Sequence, residues 1–431
     1  MAQPLPASLW AATAAPAPPH SRLYGERTAD FAVIGAGYTG LSAALHLAQT
    51  GRKVVVLEAS EPGWGASGRN GGQIIAGLKH DPEKLEAALG EDLGSRVTDE
   101  FGGSADLVYS LIDRYAIACN VQRNGWIQAA HGRRAFDEMV EPRCRQWAAR
   151  GVGARLLDRT EISALIGSSN EAYYGGWFDP RGGLLQPLSY ARGLARAVTE
   201  EGAAIFARTP ALKLRSSGDS WEIETASGRL RASRVIMATN AYTDDLWPGL
   251  RRTVIPVASF QVATKPLPAS VSDTILPGGQ GVADTRRLLV YFRLDHEGRL
   301  VMGGRSPVDE APKFTDAGTL EAAIRRIFPQ AAGTPLDFVW SGKVAITIDK
   351  TPHIHVLAPN LYTALGCNGR GVAACTVIGK LLARLAAGAP PDEIPFPVTV
   401  PDEIPFHAFR KLAVLTISQY YRVLDNLEAR M

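Results

Sequence analysis

Three glycines spaced Gly35-x-Gly37-x-x-Gly40 close a short apolar run, Asp30-Phe-Ala-Val-Ile-Gly35, and open a helical pattern. An acid, Glu58, stands 23 residues after the first glycine, at the end of a second apolar run, Lys53-Val-Val-Val-Leu-Glu58. These types at this spacing suit a dinucleotide. Gly35 permits the tight turn, Gly37 lets the backbone approach a pyrophosphate, and Gly40 lets helix and strand touch. The helix N-terminus presents N–H groups and a positive dipole end to the phosphates. Glu58 can accept hydrogen bonds from a ribose. Directly afterwards comes Gly63-Trp-Gly-Ala-Ser-Gly-Arg-Asn-Gly-Gly-Gln73, with five glycines in eleven residues. Such a loop can lie flat on a large planar ligand and offer it many backbone donors. A nicotinamide enzyme would spend this stretch on further βαβ units.

The elements that position these residues follow from periodicity. The two apolar runs predict buried parallel strands, with a helix between them that buries Leu41, Ala44, Leu45 and Ala48 and stops at Gly51. Similar runs return much later, at 234–239 and 360–366, the second followed by a helical stretch from Gly371 to Leu385. Alternating segments lie between them, Trp221–Thr225 and Leu288–Arg293, and predict antiparallel strands with one wet face. The expected architecture is α/β: a discontinuous Rossmann-like dinucleotide-binding domain with an inserted antiparallel-sheet substrate domain. The boundaries predicted are 1–29 for an extended N-terminal arm on the surface, 30–105, 155–245 and 340–390 for the dinucleotide domain, 106–154 and 246–339 for the substrate domain, and 391–431 for a linker and C-terminal helix. The hexapeptide Pro391–Phe396 recurs as Pro401–Phe406, and its prolines predict an extended linker.

Composition narrows the function. The 431 residues carry 46 Lys and Arg against 43 Asp and Glu, a net charge of +3. That argues against a nucleic-acid partner, which needs a concentrated basic face. Cys119, Cys144, Cys367 and Cys375 form no CxxC pair. They read as four reduced thiols in a cytoplasmic protein, not as a metal site. His353 and His355 alternate on one strand and read as structural. No run of 18 apolar residues predicts a transmembrane helix. The amphipathic tail from Phe406 to Tyr421 predicts a helix docked on the protein's own core.

The run GAGYTG (35–40), the LEA at 57–59 and GWGASGRNGGQ (63–73) together resemble the D-amino-acid oxidase family of FAD enzymes, most of all its gamma-glutamylputrescine oxidase branch. The likeness extends to Val235–Tyr242, Tyr291-Phe-Arg293, Gly303-Gly-Arg305, Trp340-Ser-Gly-Lys343, Asp349–His353 and Gly366–Val372, and so covers residues 30 to 390. The tandem PDEIPF repeat is not part of it.

The resemblance implies FAD held by Gly35, Gly37, Tyr38, Thr39 and Gly40 at the pyrophosphate, and by Glu58 and Ala59 at the adenosine ribose. Gly65, Ala66, Ser67, Arg69, Asn70, Gly71, Gly72 and Gln73 would line the flavin. Ala211 would meet the adenine through its backbone, and Ala238, Thr239 and Asn240 would lie beneath the cofactor. Asn368, Gly369, Arg370, Gly371 and Val372 would aim a helix N-terminus at the pyrimidine edge, where reduction places negative charge. Some relatives tether flavin through a cysteine near Lys343; no cysteine stands there, so the FAD is expected to be non-covalent. The implied reaction passes hydride from a carbon bearing a neutral amine to flavin N5 and leaves an imine for water to hydrolyse. The substrate is then a small amine or amino acid, gamma-glutamylputrescine-like, with O2 as acceptor and H2O2 as product. Gln73, Tyr291, Arg293, Arg305 and Lys343 are the expected catalytic and substrate-facing residues, the arginines for a carboxylate and Lys343 for oxygen activation. Three other readings stand beside this one: a dehydrogenase passing electrons to a quinone, a flavin domain acting on modified tRNA, and a non-catalytic flavin-binding protein.

Overall fold

The computed structural model describes residues 3–305 and 313–428. The strand Gly25–Ile34 is exposed at its start and buried throughout its last four residues. It pairs in parallel with Val54–Leu57 on one side and with Gly228–Met237 on the other. Leu361–Leu365 and Ala204–Phe206 extend this sheet in parallel on either flank. The β-branched content of Val54–Leu57, buried at every position, is what a strand covered on both faces requires. Two helices lie over one face, Tyr38–Ala48 and Gly371–Ala387, and share one apolar core with Pro187–Glu200 and Ser104–Arg114. The edge beyond Leu361–Leu365 adds the antiparallel strand His353–Ala358. A hairpin of Lys213–Ser217 and Ser220–Glu224 pairs with the outer half of Gly228–Met237.

The second sheet runs in the order Leu336–Ile346, Ile255–Thr264, Leu300–Arg305, Val290–Leu294, Gly281–Asp284, Trp126–Ala130, Gly175–Asp179, Arg155–Leu157. Its pairs are antiparallel except Gly281–Asp284 with Trp126–Ala130. The helices Arg159–Ile166 and Gly318–Ile327 close a separate core on its far side. A short ladder, Gln73–Ile74 with Gly183–Leu184, lies apart from both sheets.

Each sheet draws its strands from several separate stretches of the chain. Arg155–Leu157, Gly175–Asp179 and the whole of Leu336–Ile346 belong to the antiparallel sheet, whereas the sequence placed 155–245 and 340–390 with the dinucleotide domain. Conversely Ser104–Arg114 packs in the dinucleotide core. The chain crosses between the two units more often than its composition betrays.

The N-terminal segment is also not a surface arm. It forms a helix, Leu9–Thr13, capped by Ser8. Leu9, Trp10 and Leu23 are buried, and Trp10 meets Trp340 edge to face at 5.9 Å. The two hexapeptide copies have different fates: Ile394 and Phe396 are buried, whereas Phe406 is exposed. The C-terminal helix, Arg410–Glu428, docks through its last turns. Asp425 accepts the backbone N–H groups of Arg287 and Leu288 at 3.1 and 3.0 Å, and Glu428 pairs with the Arg287 guanidinium at 2.8 Å. Its outer side leaves Leu412, Tyr420, Val423 and Leu427 exposed. Among the described residues no helix is long and apolar enough to cross a membrane.

Candidate functional site

Gly35 turns the chain at φ +103°, a conformation that disfavours a side chain, and a Cβ there would come within 2.9 Å of the Ala238 carbonyl. At Gly40 the backbones nearly touch: a Cβ would lie 1.9 Å from the Gly35 carbonyl. At Gly37 it would meet Ser67 Oγ at 3.0 Å. Gly37 caps the helix with no side-chain acceptor and the first turn holds no acid, so the positive end of the dipole is not neutralised from within. The Tyr38 N–H donates to Ser67 Oγ at 3.0 Å, which joins the glycine turn to the second glycine-rich loop. Thr39 is the next residue of the same turn.

The Glu58 carboxylate accepts the N–H of Ala36 at 2.8 Å and of Ser60 at 2.9 Å. Burial pushes its pKa up, while those N–H bonds hold it down. Ala59 lies between these contacts. The N–H of Thr209 donates to the Glu58 carbonyl at 2.8 Å, so the segment leading to Ala211 runs beside the same strand end.

From Gly65 to Gln73 the loop is fastened residue by residue. Gly65 lies against the Tyr242 ring. Ala66 and Ser67 offer carbonyls to Asn70 Nδ2 at 3.1 and 2.9 Å, and Asn70 Oδ1 accepts the Gly72 N–H at 2.8 Å. Arg69 stacks on Trp64 at 4.2 Å and donates to its carbonyl at 2.8 Å. Two indoles hold the turn from outside, Trp340 on the Arg69 carbonyl at 3.0 Å and Trp10 on the Asn70 carbonyl at 2.7 Å. Gly71 sits under the Tyr291 ring. Gly72, at φ +67°, leaves no space for a Cβ beside the Leu185 carbonyl.

Ala238, Thr239 and Asn240 end the strand Gly228–Met237, with the Ala238 N–H on the Ile34 carbonyl at 2.8 Å. Asn240 adopts φ +44° and accepts the Gly366 N–H at 3.0 Å. Asn368 is a buried clasp, donating to Thr347 Oγ1 and the Gly366 carbonyl at 3.0 and 2.7 Å. Gly369 follows at φ +87°. Arg370 caps the helix that begins at Gly371 and Val372, again without a side-chain acceptor or first-turn acid.

The expected substrate-facing residues part company. Tyr291 donates to or accepts from Ser259 Oγ at 2.9 Å, and burial pushes its phenol above the usual range. Arg305 sits opposite Ser259 in the ladder and is exposed. Lys343 donates its backbone N–H to Tyr242 Oη at 3.2 Å, which places it beside the loop at Gly65. Arg293 is buried, and its guanidinium donates to the carbonyls of Leu185, Gly72 and Leu294 at 2.7, 3.3 and 3.1 Å. It braces the loop through Nε and Nη1. Gln73 is likewise committed. Its Nε2 donates to the Val282 and Phe292 carbonyls at 3.0 and 3.2 Å, and its Oε1 accepts the Trp126 indole N–H at 3.0 Å. It acts as a rivet between loop and sheet.

The sequence reading missed Trp10, Trp126, Tyr242 and Lys79. Lys79 had a local signal, a lone charge after Ile74-Ile-Ala-Gly-Leu78. The aromatic residues had none, since their partners are 53 to 330 residues away. His353 and His355 stack edge to face at 5.6 Å. His353 bonds Asp349, and burial lowers His355 to about 4.

The glycine turn, Glu58, the braced loop and the last helix all meet beyond the carboxyl ends of the parallel strands, the place where open α/β sheets bind ligands. Close-packed glycines, an acid at the second strand end and two uncapped helix N-termini fit a flavin dinucleotide. A sequence profile described as FAD dependent oxidoreductase matches residues 30–385. The chain is 34% identical over 404 residues to the probable oxidoreductase OrdL of Haemophilus influenzae, covering 92% of each. It is 30% identical over 430 residues to gamma-glutamylputrescine oxidoreductase of Escherichia coli, covering 97% of this chain and 98% of the other. Its fold superposes on glycine oxidase from Geobacillus kaustophilus with a TM-score of 0.71 at 20% identity, over 84% of this chain and 95% of that one. The chain belongs to the D-amino-acid oxidase family of FAD-dependent oxidoreductases.

Proposed function

We propose that this protein is an oxidase of an amine or amino acid, with a gamma-glutamylputrescine-like substrate favoured and O2 as the electron acceptor. One observation carries the reading: the loop Arg69–Gln73 is fastened to the antiparallel sheet by Gln73 and by the Tyr291 ring over Gly71, while the Ser67 hydroxyl just before it is tied to the glycine turn of the parallel sheet through the Tyr38 N–H. A planar ligand on that loop therefore lies where the two sheets meet, which puts residues of the antiparallel sheet within reach of a small substrate. The likeness to gamma-glutamylputrescine oxidoreductase over nearly both whole chains supports the substrate class.

Gly35, Gly37, Gly40 and Glu58 would hold the dinucleotide half of FAD non-covalently, and residues 65–73 and 368–372 its flavin half. When bound, FAD supplies a hydride acceptor for the carbon that carries the amine. The chain's own part is placement. Gln73 and Arg293 fix the loop, the helix N-terminus at Gly371 provides an oriented field for negative charge, and Tyr291 walls the substrate side. The amine must be neutral to react, so the rate should rise with pH above neutrality. All four cysteines are free thiols, in keeping with a cytoplasmic setting.

The test is to mix FAD-loaded protein anaerobically with a panel of amines, follow flavin absorbance, then admit O2 and measure peroxide. Bleaching with stoichiometric peroxide supports the oxidase. Bleaching that only a quinone reverses supports a dehydrogenase. A flavin that no amine bleaches supports a binding protein.

A further inference from the structure

Past Gln73 the chain enters a nest of cations. Arg370 reaches back from the last helix, and its Nη1 donates to the Ala76 carbonyl at 2.7 Å while its Cζ stands 5.9 Å over the Trp126 ring. Arg143, buried, donates from Nη2 to the Lys79 carbonyl at 3.2 Å. His80 donates to the Asp349 carbonyl at 2.6 Å, which brings the turn containing Lys350 alongside. The Lys79 ammonium is partly buried, and the charges that bear on it are Arg370, Arg305, Arg143 and Lys350, all positive. The acids of this region already have partners, Asp81 with Arg143, Asp179 with Arg181 and Asp349 with His353, and Asp81 and Asp179 also bear on Arg370. Among the described residues neither Lys79 nor Arg370 makes an ion pair. Arg305 and Lys350 are exposed, so the nest opens to solvent. Its inner wall is Trp126, the residue that donates to Gln73.

We propose that Lys79 and Arg370 form a binding site for a carboxylate on the substrate, remote from the amine that is oxidised. The proposal deepens the reading of an amine substrate and rests on it. Two cations in one region with no ion-pair partner of their own are costly, and a carboxylate accepts from both an ammonium and a guanidinium fork. The same surroundings repel an ammonium, so the reacting amine does not enter here. The site therefore selects molecules with an amine at one end and a carboxylate at the other, which an N-glutaryl diamine is; a gamma-glutamyl amide, whose carboxylate sits beside an α-ammonium, meets the requirement only in part. Unliganded, Lys79 is pushed down to about 7 by burial and by those four cations. Binding an anion restores its charge and takes up a proton.

The test uses the full-length FAD-loaded protein as wild type, Lys79→Gln and Lys79→Arg. The probes are N-glutarylputrescine, its terminal carboxamide, and glutarate alone. Wild type is expected to prefer the carboxylate over the carboxamide in kcat/KM. Lys79→Gln should cut that preference about tenfold, mainly through KM, and Lys79→Arg should restore most of it. Calorimetric titration with glutarate near neutral pH should show proton uptake in wild type and about tenfold weaker binding to Lys79→Gln. Equal loss on both amines in Lys79→Gln, or glutarate binding that ignores the substitution, overturns the site. If no amine reduces the flavin while glutarate binds through Lys79, the amine reading falls and the anion site stands.

Discussion

The guanidinium of Arg293 donates to the carbonyl of Gly72, 221 residues earlier in the chain. With its bonds to Leu185 and Leu294, this makes a charged side chain the brace of the loop on which the flavin is proposed to rest. Burial lowers its pKa to about 10, and it keeps its charge at neutral pH. Replacing it by methionine removes this donor from three carbonyls, of which Gly72's keeps the Leu185 N–H at 2.8 Å. Arg293→Met should cost about 2–4 kcal/mol in denaturant unfolding. KM per flavin-loaded molecule should stay within about twofold, whereas losing a substrate-binding arginine would raise it far more.

Gly72 makes the complementary case. Its φ of +67° and the 2.2 Å that would separate a Cβ from the Leu185 carbonyl leave alanine no place. Gly72→Ala should yield protein that retains little FAD and is destabilised by more than about 3 kcal/mol. Flavin absorbance after gel filtration, beside a melting curve, measures both.

Glu58 holds two backbone N–H groups with its carboxylate. Glutamine at that position keeps one acceptor oxygen and turns a donor toward the other N–H. Glu58→Gln should weaken FAD binding about tenfold to a hundredfold, read by recovery of free-flavin fluorescence on dilution, with the fold preserved by circular dichroism.

Lys79 gives a stability signature that requires no ligand. Its folded pKa of about 7 lies below its ordinary 10.5. Between those values the unfolded chain binds a proton that the folded chain does not, so this group's contribution to stability rises with pH across the window. Below pH 7 the folded protein carries the whole penalty. Lys79→Met should therefore be more stable than wild type at pH 6, on the order of 2 kcal/mol after allowing for its solvent contact. The gap should close as pH approaches 10.5. Paired urea titrations at the two ends of the range decide it.

The parallel sheet was legible because its signals are local. Gly35 to Glu58 spells out strand, turn, helix and strand within a few turns of chain, and Gly371 onwards spells out the last helix. The roles of Arg293 and Gln73 were not legible, because a polar side chain aimed at backbone carbonyls looks in sequence like one aimed at a substrate. Trp10 gave no signal either, since what makes it a core residue, the Asn70 carbonyl and the Trp340 ring, arrives from distant segments. Domain boundaries were hard to read because composition stays uniform along strands such as Leu336–Ile346, which lies in the antiparallel sheet along its whole length. The second PDEIPF copy shows the limit plainly: identical residues bury Phe396 and expose Phe406.

The central claim is that a flavin held on the loop Arg69–Gln73 takes hydride from an amine. The most direct measurement is anaerobic mixing of the FAD-loaded protein with N-glutarylputrescine above neutral pH, watching the visible flavin band. The account predicts that the band disappears and that air restores it with release of peroxide. A band that stays unchanged with this and every other amine, on protein shown to hold FAD, would contradict it.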